Sequence, residues 1–155
     1  MSDPRLKTIA DAVLSRIEGI SVAGGYNFDA GSCARAAAMA DDATSMPAAY
    51  IIGVGFEERH LAHATDGPFG REATALLQLR LFVTAVTNPQ LQAERWAYDV
   101  VRAVEGLPTG LGLAYVISVI ARNYTPMVTD AGIQAPYGMA NMTIAVTYRM
   151  ARGEI

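Results

Sequence analysis

"REATALLQLRLFVTAVT", residues 71–87, decides the fold class. From Ala73 the odd positions run Ala73, Ala75, Leu77, Leu79, Leu81, Val83 and Ala85, and the even positions run Thr74, Leu76, Gln78, Arg80, Phe82, Thr84 and Val86. A repeat of two predicts a long strand, because successive side chains of a strand point to opposite faces. The odd face is uniformly apolar and needs a core. The even face sets Leu76, Phe82 and Val86 beside Gln78 and Arg80, which raises the question of what covers it.

The neighbours of this strand supply the rest of a sheet. Residues 49–57, "AYIIGVGFE", place Tyr50, Ile52, Val54 and Phe56 on one face and Ile51, Gly53 and Gly55 on the other, which predicts a strand packed closely on its glycine side. Between the two strands, segment 59–71 carries Arg59, His60, His63 and Arg71 around a break at Gly67 and Pro68. It is expected to be a long, mobile hairpin connection. Residues 113–124 are rich in branched and aromatic side chains and predict a further strand, followed by a loop over 125–140. Residues 141–150 alternate cleanly, with Met142, Ile144, Val146, Tyr148 and Met150 on one face. The small residues after Cys33 are compatible with one more strand.

Two stretches have the helical repeat instead. Over 3–18, Leu6, Ile9, Ala10, Val13 and Ile17 form one apolar stripe, with Ser2 or Asp3 available to cap, Pro4 at the first turn and Gly19 as the stop. Over 89–105, Ala93, Trp96, Ala97, Val100 and Val104 do the same behind Asn88 and Pro89. Two helices and at least four strands joined partly by hairpins predict a single α+β domain over residues 1–155. Its architecture is two layers, a mostly antiparallel sheet with both helices on one face.

Composition narrows the partners. The 155 residues are 52% hydrophobic and only 17% charged, whereas the surface of a small soluble protein is commonly about a quarter or more charged. A mean hydropathy of +0.21 points the same way. Self-association accounts for this apolarity. The weakly charged run at 106–121 is broken by Pro108 and glycines, so no membrane span is expected. The amino-terminal stretch interleaves charges with its apolar stripe, unlike a signal peptide, and folding in the cytoplasm is the expectation. The formal net charge of -3, without clustered lysines and arginines, argues against tight nucleic-acid binding. DNA could pass such a surface without being held.

No residue set carries catalysis. His60, His63 and Asp66 have a spacing that could gather a metal on a helix, but Gly67 and Pro68 interrupt such a platform, and a solvated or protein-contacting loop explains them better. Cys33, the single cysteine, sits among small residues with no base tied to it, and reads as a small buried hydrophobe. The glycine-rich stretches lack the lysine and hydroxyl of a phosphate loop. Trp96 aligns with Ala93 and Val100, which favours core packing over ligand stacking. Asp99 and Glu105 have no partner that would form a carboxylate pair. No catalytic, cofactor or metal residues are therefore assigned, and the reading is non-enzymatic.

The order of these pieces adds a further expectation. An amino-terminal helix, the turn "GGYNFDAGSCAR", the strand "AAYIIGVGFEER", the long central strand, the helix "NPQLQAERWAYDVVRAV" and the closing strand "ANMTIAVTYRMA" resemble the tail terminator proteins of long-tailed phages and gene-transfer particles. The resemblance covers nearly the whole chain. It implies a structural virion protein, without cofactor or catalytic motif, that forms a ring, typically hexameric, on the head-proximal end of the tail. The implied partners are further copies of the chain, the tail tube protein and a head-side connector, with DNA passing through. Other head-tail connectors and tail completion proteins are close alternatives. A small ligand-binding domain or enzyme with a pocket between helix and sheet is the alternative of a different class. In a ring, the even face of the long strand, with Leu76, Gln78, Arg80 and Phe82, meets a neighbour, the alternative being a second covering segment of the same chain, and Arg59, His60, His63 and Arg71 belong to a contact loop.

Overall fold

A computed structural model of the chain describes residues 4–35, 45–60, 71–85, 87–127 and 137–150, with 58–60 and 71 described as backbone. Helix α1 spans Arg5–Glu18 and α2 spans Pro89–Glu105. The strands are β1 (Cys33–Ala34), β2 (Ala48–His60), β3 (Arg71–Thr84), β4 (Val116–Pro126) and β5 (Tyr137–Met150). They form one sheet in the order β1-β2-β3-β5-β4. The two-residue β1 runs parallel to β2, and every other pairing is antiparallel. The fold is α+β, as the sequence predicts.

The period-two reading of β3 holds residue by residue. Ala73, Ala75, Leu77, Leu79, Leu81 and Val83 are all at most 2% exposed and share one core with Ile9, Val13 and Ile17 of α1 and Trp96, Val100 and Val104 of α2. Cross-strand partners point to the same face, so Met142, Ile144, Val146 and Tyr148 of β5 enter this core opposite Leu79, Leu77, Ala75 and Ala73. The two helices thus pack on the odd face of β3. We term the other side of the sheet the open face.

Strand β2 departs from the sequence reading. Its pairing with β3 shifts between Ile51 and Gly53, so Ile52 is an extra residue on one side of the ladder. Such a bulge exchanges the two faces of a strand from that point on. Tyr50 and Ile52 face the open side, but Val54 and Phe56 face the helix side opposite Leu77 and Ala75. The glycines are correspondingly on the open face, where a Cβ on Gly53 would come 3.2 Å from Gln78 Oε1 and one on Gly55 would come 3.5 Å from Leu76 Cβ. The expected packing of a glycine side is therefore a close approach to β3 side chains, away from the helices.

Boundaries shift in ways that local chemistry explains. Pro4 occupies the cap position of α1 without a side-chain bond, while Ser2 and Asp3 lie outside the described residues. Asn88 precedes α2 in the left-handed conformation, φ 53°, a region asparagine tolerates better than most residues, and its side chain makes no cap bond. The connection after β4 is shorter than the expected 125–140, because Tyr137 to Ala140 pair with Thr84 to Leu81 and lengthen β5. That extension needs Gly138, since a Cβ there would overlap the Pro89 carbonyl oxygen.

Candidate assembly surfaces

The open face has an apolar end and a mixed centre. At the apolar end Phe82 is 1% exposed and packs with Ala48 and Tyr50, flanked by Ala34, Met46, Ile52 and Met139. The Tyr50 and Phe82 rings meet edge to face, 6.0 Å apart. This corrects the expectation that a neighbouring chain covers Phe82: its own chain buries it, because β1 and the residues entering β2 bring Ala34 and Met46 to that corner. Phe82 belongs to a second, smaller core.

Further along the same face, Leu76 and Arg80 are half-buried and Gln78 is exposed. The Arg80 guanidinium donates through Nε to Asn141 Oδ1 at 3.4 Å, and the hydroxyls of Thr74 and Thr147 lie 3.1 Å apart. Gln78 faces Thr143, and Leu76 faces Ala145. These three sequence-predicted residues therefore stand together on one surface. Among the described elements, both helices occupy the opposite face.

The predicted contact loop divides differently. Arg59, His60 and Arg71 are strand residues, Arg59 paired with Glu72 and His60 with Arg71. Pairing simply continues while both strands supply partners, so positions 59, 60 and 71 of the expected loop over 59–71 are strand, and 61–70 lie outside the described residues. His63 lies outside the described residues, as does Asp66. Among the described residues no group of three or more His, Cys, Asp or Glu side chains gathers around a common point. No described helix is long and apolar enough to cross a membrane.

The sheet has two edges. Among the described residues β4 pairs only with β5, and Ile117 and Ile120 on it are 45% and 54% exposed. At the opposite side β1 covers β2 only at Ala49 and Tyr50, so among the described residues the edge of β2 beyond them is unpaired. On the helix side, a cleft of about 260 Å³ opens between α2 and β4. Ala97, Tyr98 and Val101 form one wall, Ala121 and Tyr124 the other, and buried Met142 lies beneath them. Glu94 and Arg122, both exposed, contribute the charges. The Tyr124 phenol titrates above its ordinary range, chiefly because of partial burial and secondarily because Glu94 is nearby. Tyr98 continues into an aromatic and cationic strip, with the Arg102 guanidinium 5.7 Å from its ring and 4.7 Å from that of Tyr26.

Four residues considered for chemistry have structural places. Trp96 is fully buried, donates from Nε1 to the Ala48 carbonyl at 2.9 Å and meets Phe28 edge to face. The Cys33 thiol is pushed up to about 11 by burial, with the Glu18 charge adding to the effect against a lowering hydrogen bond from the Ala49 backbone. Such a thiol is almost wholly protonated near neutrality and is a poor nucleophile. Asp99 is fully buried and accepts from Asn27 N–H at 2.9 Å, Asn27 Nδ2 at 2.8 Å and Phe28 N–H at 3.1 Å. Glu105 accepts from the Ala121 N–H at 2.8 Å and ties the end of α2 to β4. Sequence spacing offers no sign of either link, since the partners are remote in the chain.

Comparison with protein-family models and with curated protein sequences finds no match.

Proposed function

We propose that this chain is a structural assembly protein, a tail terminator that forms a ring on the end of a phage or gene-transfer-particle tail tube. The ring ends tube elongation and offers a head-side connector its docking surface. The observation that carries this reading is the one-sided layering. Both helices cover a single face, leaving Leu76, Gln78 and Arg80 on the other and, among the described residues, two sheet edges without a further strand partner. A heterologous ring uses unlike surfaces of each copy, which is what a sheet with two different edges supplies. The apolar composition supports extensive protein contact, and the order of elements supports the terminator class. DNA passes the assembled ring without being held, in keeping with the negative net charge. The site of action is the head-proximal tail end, in particles assembled in the host cytoplasm. Other head-tail connectors and tail completion proteins share this physical description and differ in which partner is bound.

Removal of the gene followed by imaging of assembling particles tests the proposal. Tubes of abnormal length or unattached heads and tails are the expected result; infectious particles lacking the chain defeat it. The cleft between α2 and β4 is the specific observation that favours a second reading, a small-ligand site. A thermal-shift screen of small aromatic and amphipathic compounds addresses it.

A further inference from the structure

We infer that copies of this chain join head to tail through their sheets, the outer edge of β4 in one copy, where Glu105 holds the Ala121 N–H and would have to release it, taking the edge of β2 that is unpaired among the described residues in the next, with Phe56 of the second seated in the α2–β4 cleft of the first. The inference rests on the ring reading above and specifies its seam. Four observations converge on it.

The first is direction. β2, β3, β5 and β4 are successively antiparallel, so β2 and β4 run in opposite senses within a copy. A neighbour in the same orientation therefore presents β2 antiparallel to β4, an allowed ladder. The second is the layer. Phe56 lies on the helix side of β2, paired with Ala75, yet is 40% exposed. Sheets joined edge to edge keep their helix layers on the same side, and the cleft lies on that side, walled by Tyr98, Val101 and Tyr124. An exposed aromatic ring and an apolar cleft thus fall on the same side of the seam.

The third observation is charge. Glu57 of β2 pairs with Thr74 on the open face, and Arg122 of β4, paired with Thr143 of that face, also borders the cleft at the same edge. Both are exposed, and the seam brings the carboxylate of one copy to the guanidinium of the next. A two-fold β4–β4 pairing would instead put two Arg122 side chains in one seam and leave Phe56 uncovered.

The fourth is closure. Glu57 is level with Thr74, whereas Arg122 is level, through Thr143, with Gln78. Setting Glu57 opposite Arg122 therefore staggers each copy by 78 − 74 = 4 residues along the strands. It also sets β4 against β2 from Gly53 onward, clear of the part that β1 covers. Four long strands about 4.8 Å apart, with four residues of about 3.3 Å of stagger, tilt the strands by about 35°. Closed barrels have tilts of roughly 35–45°. Because strands and stagger both scale with the number of copies, this tilt suits a closed ring whatever its stoichiometry.

Cysteine substitutions in a Cys33→Ala background test the seam, with that background as control. Glu57→Cys and Arg122→Cys are mixed under mild oxidation, as concentrated protein and within isolated particles. The expected product is a covalent 57–122 heterodimer, and a chain carrying both substitutions should give a ladder ending in a closed species. Separately, Glu57→Arg and Arg122→Glu should each weaken self-association about tenfold or more, and the double variant should restore most of it. Links formed only between two copies of the Arg122→Cys chain would replace this seam with a two-fold one. Rings seen by mass measurement or imaging without 57–122 links would overturn the seam and leave the ring reading standing. Chains that neither link nor appear on tail ends would overturn both.

Discussion

Asp99 accepts two hydrogen bonds from Asn27, one from its backbone N–H at 2.9 Å and one from its side-chain amide at 2.8 Å. Phe28 adds a third backbone donor at 3.1 Å. A buried carboxylate on α2 thereby fixes the turn after the 3-10 segment Val22–Gly24, and with it Phe28, whose ring abuts Trp96. The turn is also held by Val22 N–H donating to Asp29 Oδ1 at 2.8 Å and by Arg102 donating to the Gly25 carbonyl at 3.2 Å. Asp99 is the buried charge around which α2 and the turn between α1 and β1 are organised.

Replacing Asp99 with Ala leaves these three part-buried donors without their acceptor. Hydrogen bonds to a charged group contribute about 1.5–3 kcal/mol each and exposed Asn27 can turn to water, so a total loss of about 3 kcal/mol is expected. For a chain of this size that lowers the melting temperature by roughly 10 °C. Asp99→Asn keeps one acceptor oxygen and should lose less. Denaturant unfolding of both variants checks the order; equal stability of Asp99→Ala and the native chain would contradict the role.

Phe82 is expected to behave as core. Phe82→Ala should cost about 3–5 kcal/mol, as truncation of a fully buried aromatic does. Phe82→Asp should yield little folded protein, because its charge would be buried beside Tyr50 with no partner. Circular dichroism and expression of soluble chain provide the measurement. A folded Phe82→Asp chain that merely fails to assemble would restore the view that a neighbour covers this ring.

What was legible in the sequence follows from the range of the interactions involved. The faces of β3 and β5 and the stripes of both helices are written in neighbouring residues, and the helix-side core matches that reading. The bulge at Ile52 is invisible because "YIIGVGF" alternates smoothly through it, and only the pairing with β3 reveals the exchange of faces. The fate of Phe82 depends on Ala34 and Met46, and that of Asp99 on Asn27, all remote in sequence. The α2–β4 cleft is likewise a product of packing between Tyr98 and Tyr124, which no spacing rule connects. Leu76, Gln78 and Arg80 were recognisable as one surface because a single strand carries all three.

The Cys33 thiol gives a pH signature. Its pKa is about 11 in the folded chain against an ordinary value of 9.0, so the unfolded chain loses its proton first as pH rises. The thiol's contribution to stability is therefore complete below about pH 9 and is lost between that value and about pH 11. Alkylation of the native chain should be slow at pH 8 and accelerate only toward the upper end of this window. Comparing its rate with that of the denatured chain checks the shift; equal rates at pH 8 would remove it.

Leu76 and Gln78 separate folding from assembly on the open face. Leu76 is half-buried between Gly55 and Ala145, and Gln78 is exposed opposite Gly53 and Thr143, so neither fills the core beneath the helices. Gln78→Glu should leave stability within about 0.5 kcal/mol, the usual range for surface changes, and Leu76→Asp should cost about 1 kcal/mol. If neighbouring chains or the tube end press on this face, the same changes bury an unpaired carboxylate in a contact, an expensive outcome. Both variants should then remain folded by circular dichroism yet fall in mass toward the monomer and fail to restore tail joining in particles lacking the native chain. Sedimentation across a range of concentrations, paired with particle imaging, makes the comparison. Full assembly by Leu76→Asp would assign all intersubunit contact to the sheet edges and leave the open face bare in the finished ring.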